Sequence, residues 1–344
     1  MDSHSEIRHD PRVDIAGIIF PVFAIAVVGY ALAAVGLFRP QDTAGLTRYV
    51  FSVALPVMLF HSMATVTLPE TVRWSFLVAY YLPALAVYLT ALMLGRALFG
   101  HSRREQAVFG MSAGYSNTVL IGLPVIAAAW GDAALLPLLM IVAIHSGIMF
   151  SLTTAIAESG GARRGARTAP HGGASAAARS AAQGAGRGGF AHVLRRTVVG
   201  MLRNPIVVGL AAGLLFNLLA IPLPPPIEQT LELIRASAVP AALFVTGASL
   251  REYRVMGHIG EAVVIIIFKM VVHPLAVWAL ATFVFDLPEM WVAVAVVTAA
   301  LPTGINASVF ARKYDAAVAP VVTATLLSTL LSIATVSALL VVYS

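Results

Sequence analysis

Ten runs of mainly apolar residues, separated by short polar breaks, leave this chain a single environment in which to fold. They cover residues 14–38, 46–67, 74–98, 105–130, 133–157, 203–221, 228–250, 258–284, 289–311 and 316–342. A helix of about 20 residues, rising ~1.5 Å at each, crosses a hydrocarbon layer about 30 Å thick. Hydrocarbon supplies no partner for a backbone N–H or C=O group, so each run must satisfy its own as a helix. Composition agrees: 59% of the 344 residues are hydrophobic and 11% are charged, too few charges to coat a soluble domain of this length. The chain therefore reads as an all-α membrane protein of ten transmembrane helices. The first run is too long for a signal-peptide core, and Asp2, Glu6 and Asp10 mingle with Arg8 and Arg12 before it, so it is expected to stay as a helix.

Charge placement orients these spans. Of 22 Lys and Arg residues, 17 fall in five alternate gaps: Arg39 and Arg48; Arg96, Arg103 and Arg104; eight from Arg163 to Arg203; Arg251 and Arg254; Arg312 and Lys313. The opposite side holds Arg8, Arg12 and Arg73, so the five gaps are expected to face the cytoplasm and both termini the outside. In a bacterium this would be the plasma (inner) membrane. Residues 158–202, rich in Gly, Ala, Ser and Arg, read as a disordered basic linker between halves 1–157 and 203–344. Its arginines fit a topology determinant touching anionic lipid better than a nucleic-acid site. The chain has no cysteine, which excludes disulfides, thiolate metal sites and cysteine nucleophiles. No metal site or cofactor is expected.

The two halves repeat. At an offset of 184, Pro21 matches Pro205, Gly29 matches Gly213, Pro56 matches Pro240, and Leu59-Phe60 matches Leu243-Phe244; at 183, Asp132-Ala133-Ala134 and Pro137 match Asp315-Ala316-Ala317 and Pro320. Five helices used twice enter the membrane from opposite sides, an inverted repeat of the kind found in secondary carriers.

The fourth span carries Gly114-Tyr115-Ser116-Asn117-Thr118 and then Gly122-Leu123-Pro124; the ninth carries Leu301-Pro302-Thr303-Gly304-Ile305-Asn306. Proline removes an amide donor, and glycine and asparagine tolerate non-helical dihedrals, so both spans are expected to unwind and cross at mid-membrane. Exposed half-helix N-termini there would attract an anion. Ser116, Asn117, Thr118, Gly122, Pro124, Pro302, Thr303, Gly304 and Asn306 are the candidate substrate ligands. The segments Ser116–Pro124 and Ala300–Tyr314 resemble the two crossover helices of the auxin efflux carrier family, and the likeness extends over nearly all of the chain outside the linker. The resemblance implies a scaffold of spans 1, 2, 6 and 7, a moving transport domain of spans 3–5 and 8–10, and a carboxylate bound at the crossover. It further implies substrates such as malonate or malate for a bacterial member, in which the plant-type loop motifs are missing.

Among charged groups within spans, Lys269 either balances the substrate carboxylate, or replaces a coupling cation by standing where one would bind, or donates to carbonyls of the broken helices. His273 follows it at i+4, and His61 and His145 lie in spans 2 and 5; each of the three histidines is a candidate proton carrier as well as a packing residue. Arg235, with Glu228 and Glu232, reads as a helix-end pairing. All 16 carboxylates fit into tails, gaps or helix ends, which disfavours cation exchange. Two rivals remain. A sodium-coupled carrier of the bile-acid symporter type can draw ligand oxygens from Ser116, Asn117, Thr118, Thr303 and Asn306. An intramembrane serine hydrolase would use Gly110-Met111-Ser112-Ala113-Gly114, a string that equally matches glycine-mediated helix packing. The expected partners are a small organic anion and the lipid bilayer, with a homodimer permitted and nucleic acid excluded.

Overall fold

A computed structural model describes residues 15–66, 73–167, 205–251 and 257–343. Twelve helices account for nearly all of them: α1 (Ile15–Ala34), α2 (Pro40–Thr65), α3 (Trp74–Phe99), α4 (Arg103–Gly114), α5 (Leu123–Trp130), α6 (Leu135–Arg167), α7 (Pro205–Leu218), α8 (Pro225–Leu250), α9 (Ile259–Val284), α10 (Glu289–Ala300), α11 (Ile305–Tyr314) and α12 (Val318–Val342). Among the described residues there is no sheet, only one isolated bridge, Ser116 with Thr303.

Six stretches are long and apolar enough to cross a membrane, and three shorter apolar helices accompany them. The protein is thus a multi-pass membrane protein. The fourth and ninth apolar runs are divided into α4 plus α5 and α10 plus α11, and the flanks of α1 and α7 lie outside the described residues. The tails expected to face outward and the linker expected to be disordered lie mostly outside the described residues. In one respect the linker differs from expectation: α6 runs to Arg167, through the first residues of that stretch, despite Gly160, Gly161 and Gly165.

Local chemistry sets the helix ends. Ser102 opens α4 with a capping box, its Oγ accepting from Glu105 N while Glu105 Oε2 accepts from Ser102 N at 2.7 Å. The preceding helix α3 closes on Gly100 in the left-handed region, with His101 N donating to Gly95 O. Wide five-residue turns, Val50–Ala54, Thr118–Gly122 and Phe268–Val272, each precede a proline (Pro56, Pro124, Pro274) by two residues. The extra residue in such a turn relieves the clash of the proline ring with the turn before it, so α2 and α9 continue where proline alone would kink them.

Two helix pairs are packed backbone to backbone. A Cβ on Gly29 of α1 would run into the Phe244 carbonyl of α8, and a Cβ on Gly213 of α7 would run into the Phe60 carbonyl of α2. Glycine is required at both points because any side chain would wedge the helices apart. Phe38 packs edge-on against Phe244 at 5.0 Å, and Phe216 against Phe60 at 5.1 Å. Between these four helices and the rest lies an aliphatic cluster to which α2 gives Leu55, Met58 and Leu59, α8 gives Ala242 and Leu243, and the broken spans give Leu120, Leu123, Val297 and Leu301.

Candidate functional site

Helical bonding stops at Tyr115 in one broken span and at Leu301 in the other, and the loose residues pair with each other. Asn117 N donates to Pro302 O at 3.0 Å and Gly304 N donates to Tyr115 O at 2.9 Å. The exchange is symmetric about Ser116 and Thr303. Their own amides point to side chains: Ser116 N donates to His145 Nε2 at 3.1 Å, and Thr303 N donates to Ser328 Oγ at 3.1 Å. Tyr115, Leu301 and Gly304 have extended backbone dihedrals, as a proline at 302 and a glycine at 304 favour. The first break thus falls just before the Gly122–Pro124 cluster, while Thr118–Gly122 already forms the wide turn leading into α5.

Two half-helices begin at this pairing, one through Thr118 into α5 and the other, α11, at Ile305. Each start carries the positive end of a helix dipole. Asn306 Nδ2 donates to Tyr115 Oη at 3.0 Å, and Tyr115 Oη lies 3.0 Å from Ser146 Oγ. Asn117 and Thr118 are buried, at 7% and 3% exposure. Pro124 is the second residue of α5, and Gly122 sits so close to Leu301 that a Cβ would meet its side chain. Ser116 Oγ accepts from Tyr80 Oη at 3.2 Å, and Thr303 Oγ1 donates to Ser112 O at 3.0 Å, so both hydroxyls are engaged within the protein.

Lys269 is fully buried in the wide turn of α9, and its Nζ donates to Ala299 O, a carbonyl in the last turn of α10. A cation at that end complements the negative pole of the half-helix. Lys269 is thus a donor to a carbonyl of a broken helix. His145 stacks on Tyr115 at 4.7 Å, and His273 lies edge-on to Tyr80 at 5.4 Å, so both belong to the wall behind the breaks. No Asp or Glu occurs among the buried polar residues described. His61 is placed elsewhere.

A family profile described as Membrane transport protein matches residues 14–340. The chain belongs to that family, which is the auxin efflux carrier family. A Rhizobium meliloti (strain 1021) protein named "Putative malonate transporter" is 24% identical over 329 residues, 95% of either chain. "Auxin efflux carrier component 8" of Arabidopsis thaliana is 22% identical over 328 residues, covering 86% of this chain and 88% of its own. "Auxin efflux carrier component 2" of Oryza sativa subsp. japonica is 28% identical over 161 residues, which is 44% of this chain and 25% of that one. The resemblance drawn from the two crossover motifs therefore holds across the chain.

Sequence reasoning missed a polar cluster at the rim. Arg235 Nη2 donates to Asp132 Oδ1 at 2.6 Å, and its Nη1 lies 3.3 Å from Glu232 Oε2 and 3.2 Å from His61 Nδ1. The pairing with Glu232 was legible as i,i+3; the tie to Asp132, 103 residues away, was not. The only available hint was that Asp132 stands in the repeated Asp-Ala-Ala stretch. Ser112, the centre of the hydrolase-like string, lies inside α4 and donates to Val108 O at 2.8 Å, while Gly110 and Gly114 face the Tyr88 and Ala84 carbonyls across α3. Those contacts are helix packing.

Proposed function

We propose that this protein is a secondary carrier of a small organic anion, a mono- or dicarboxylate, which it binds at the paired breaks and moves by an elevator-type cycle. The observation that carries this reading is the pairing of Ser116 with Thr303, which gathers two half-helix N-termini and the amides of Asn117 and Asn306 in one place. A carboxylate gives up strong hydration on entering a membrane protein, and fixed N–H dipoles can replace it without a mobile counter-ion. The absence of buried carboxylates among the described residues favours an anion over a cation. The relative named for malonate supports a dicarboxylate as the first substrate to test.

An inverted repeat of ten spans supports the cycle. Gly29 on Phe244 and Gly213 on Phe60 are the same contact made twice, since both partners are shifted by 184 residues. In this reading α1, α2, α7 and α8 form the scaffold in the inner membrane of a bacterium, and the broken spans ride against it through the aliphatic cluster. Purified protein in liposomes should take up or release malonate down its gradient. Uptake of neither malonate nor any other mono- or dicarboxylate would falsify the carrier reading. A strict requirement for a sodium gradient would instead assign the symporter alternative.

A further inference from the structure

The break amides are held by side chains that nothing in the carrier reading requires. His145 and Ser328 each lie eight residues beyond a proline that opens its helix region, Pro137 and Pro320, so the two stand at the same offset of 183 as those prolines. Each accepts the amide hydrogen of the central residue of a break, His145 from Ser116 and Ser328 from Thr303, both at 3.1 Å and both without solvent exposure. One acceptor is an imidazole and the other a hydroxyl, so the shared property is a lone pair in a fixed place.

We propose that His145 and Ser328 are paired positioning residues for the anion site, and that His145 acts there as a permanently uncharged acceptor and not as the carrier of a coupling proton. This inference rests on the carrier reading only for its effect on binding. A nitrogen that accepts from Ser116 N–H cannot itself bear a proton, so the ring hydrogen belongs on Nδ1, which has no protein partner. The titratable and charged groups that face the ring are Tyr115 from the break, Tyr80 and Tyr81 from α3, and Lys269 and His273 from α9. None is a carboxylate that would balance an imidazolium. Ser328 is oriented for the same task by donating to Thr325 O at 3.2 Å. With both amides tied down, Asn117 N is left to donate to Pro302 O and Gly304 N to Tyr115 O across the break, which fixes where the half-helix ends point.

Hydrogen exchange at residues 115–118 and 303–304, followed in lipid nanodiscs without substrate, tests the struts directly. His145→Phe should speed exchange at Ser116 by about 5- to 10-fold, the loss of one buried hydrogen bond, and His145→Gln, whose Oε1 reaches to about the place of Nε2, should restore protection. Ser328→Ala should do the same at Thr303, with Ser328→Thr as its rescue. Malonate titration should follow the same order, weakened in His145→Phe and Ser328→Ala and recovered in the rescues. The pH profile of malonate transport by His145→Gln should match that of the parent. Unchanged exchange in both His145→Phe and Ser328→Ala overturns the struts, and a flattened pH profile in His145→Gln overturns the uncharged role. If the parent binds no carboxylate while the exchange results hold, only the carrier reading falls.

Discussion

Asn306 shows how a residue of the proposed site can be held in place by the fold itself. Its Nδ2 is committed to Tyr115 Oη, which leaves the amide oxygen and the second hydrogen in a fixed orientation beside the start of α11. Asn117, at the mouth of the other half-helix, contributes a backbone donor to Pro302 and a largely buried side chain. Removing one partner of a buried polar contact strands the other, so Asn117→Ala or Asn306→Ala should weaken malonate binding by about 1–3 kcal/mol, roughly 5- to 150-fold. Calorimetry on the purified variants measures this, with exposed Arg48→Ala as the control expected to match the parent. Lys269→Met strands the Ala299 carbonyl and should lower unfolding stability by about 1–3 kcal/mol even without substrate. Lys269→Arg should not rescue it, because a planar fork does not fit the place of an ammonium in a closed site. Equal melting temperatures for Lys269→Met and the parent would rule out the tie to Ala299 as a structural requirement.

At the scale of helices, the rim cluster and the glycine contacts make separate predictions. Arg235 and Asp132 join α8 to the turn after α5, in which Gly131, at φ 64°, takes a conformation that side chains disfavour. Arg235→Gln and Asp132→Asn should each cost little, and together no more than either alone, since the pair is partly exposed and worth about 0.5–1 kcal/mol. A double-mutant cycle of thermal unfolding checks this; strict additivity would mean the two do not interact. Gly213→Leu should disrupt folding far more, because the Phe60 carbonyl already occupies the space. The positions of those glycines were legible from the 184-residue register, as were the breaks, since proline, glycine and asparagine act on the backbone where they stand. What was not legible has a common cause. Lys269 and His145 meet partners 30 and 29 residues away, and a sequence read helix by helix shows that such groups need a partner but not which one. The wide turns before Pro56, Pro124 and Pro274 were missed for the opposite reason: proline predicts a disturbance, and whether it becomes a break or an extra residue in the turn depends on what packs around it.

For the molecule as a whole, the lack of any cysteine makes the proposed motion easy to test, because introduced thiols have no background. A pair at positions 132 and 235, joined by a bifunctional thiol reagent of matching span, should stop malonate flux, and a reagent cleavable by reductant should let it resume. Continued full transport with the bridge closed would show that these elements do not move apart. The tightly meshed glycine contacts and the aliphatic cluster beside them also differ in how they respond to sliding. Carbonyls seated on glycines lock like cogs and allow one register, so α1 with α8 and α2 with α7 have nowhere to go. Leucine, valine and methionine side chains facing one another carry no directional bonds, and a shift of several ångströms exchanges one greasy contact for a similar one. In the proposed cycle, friction along that surface would be low and nearly even, and the resting places would be set at its edges, where the Arg235 guanidinium reaches from α8 to Asp132.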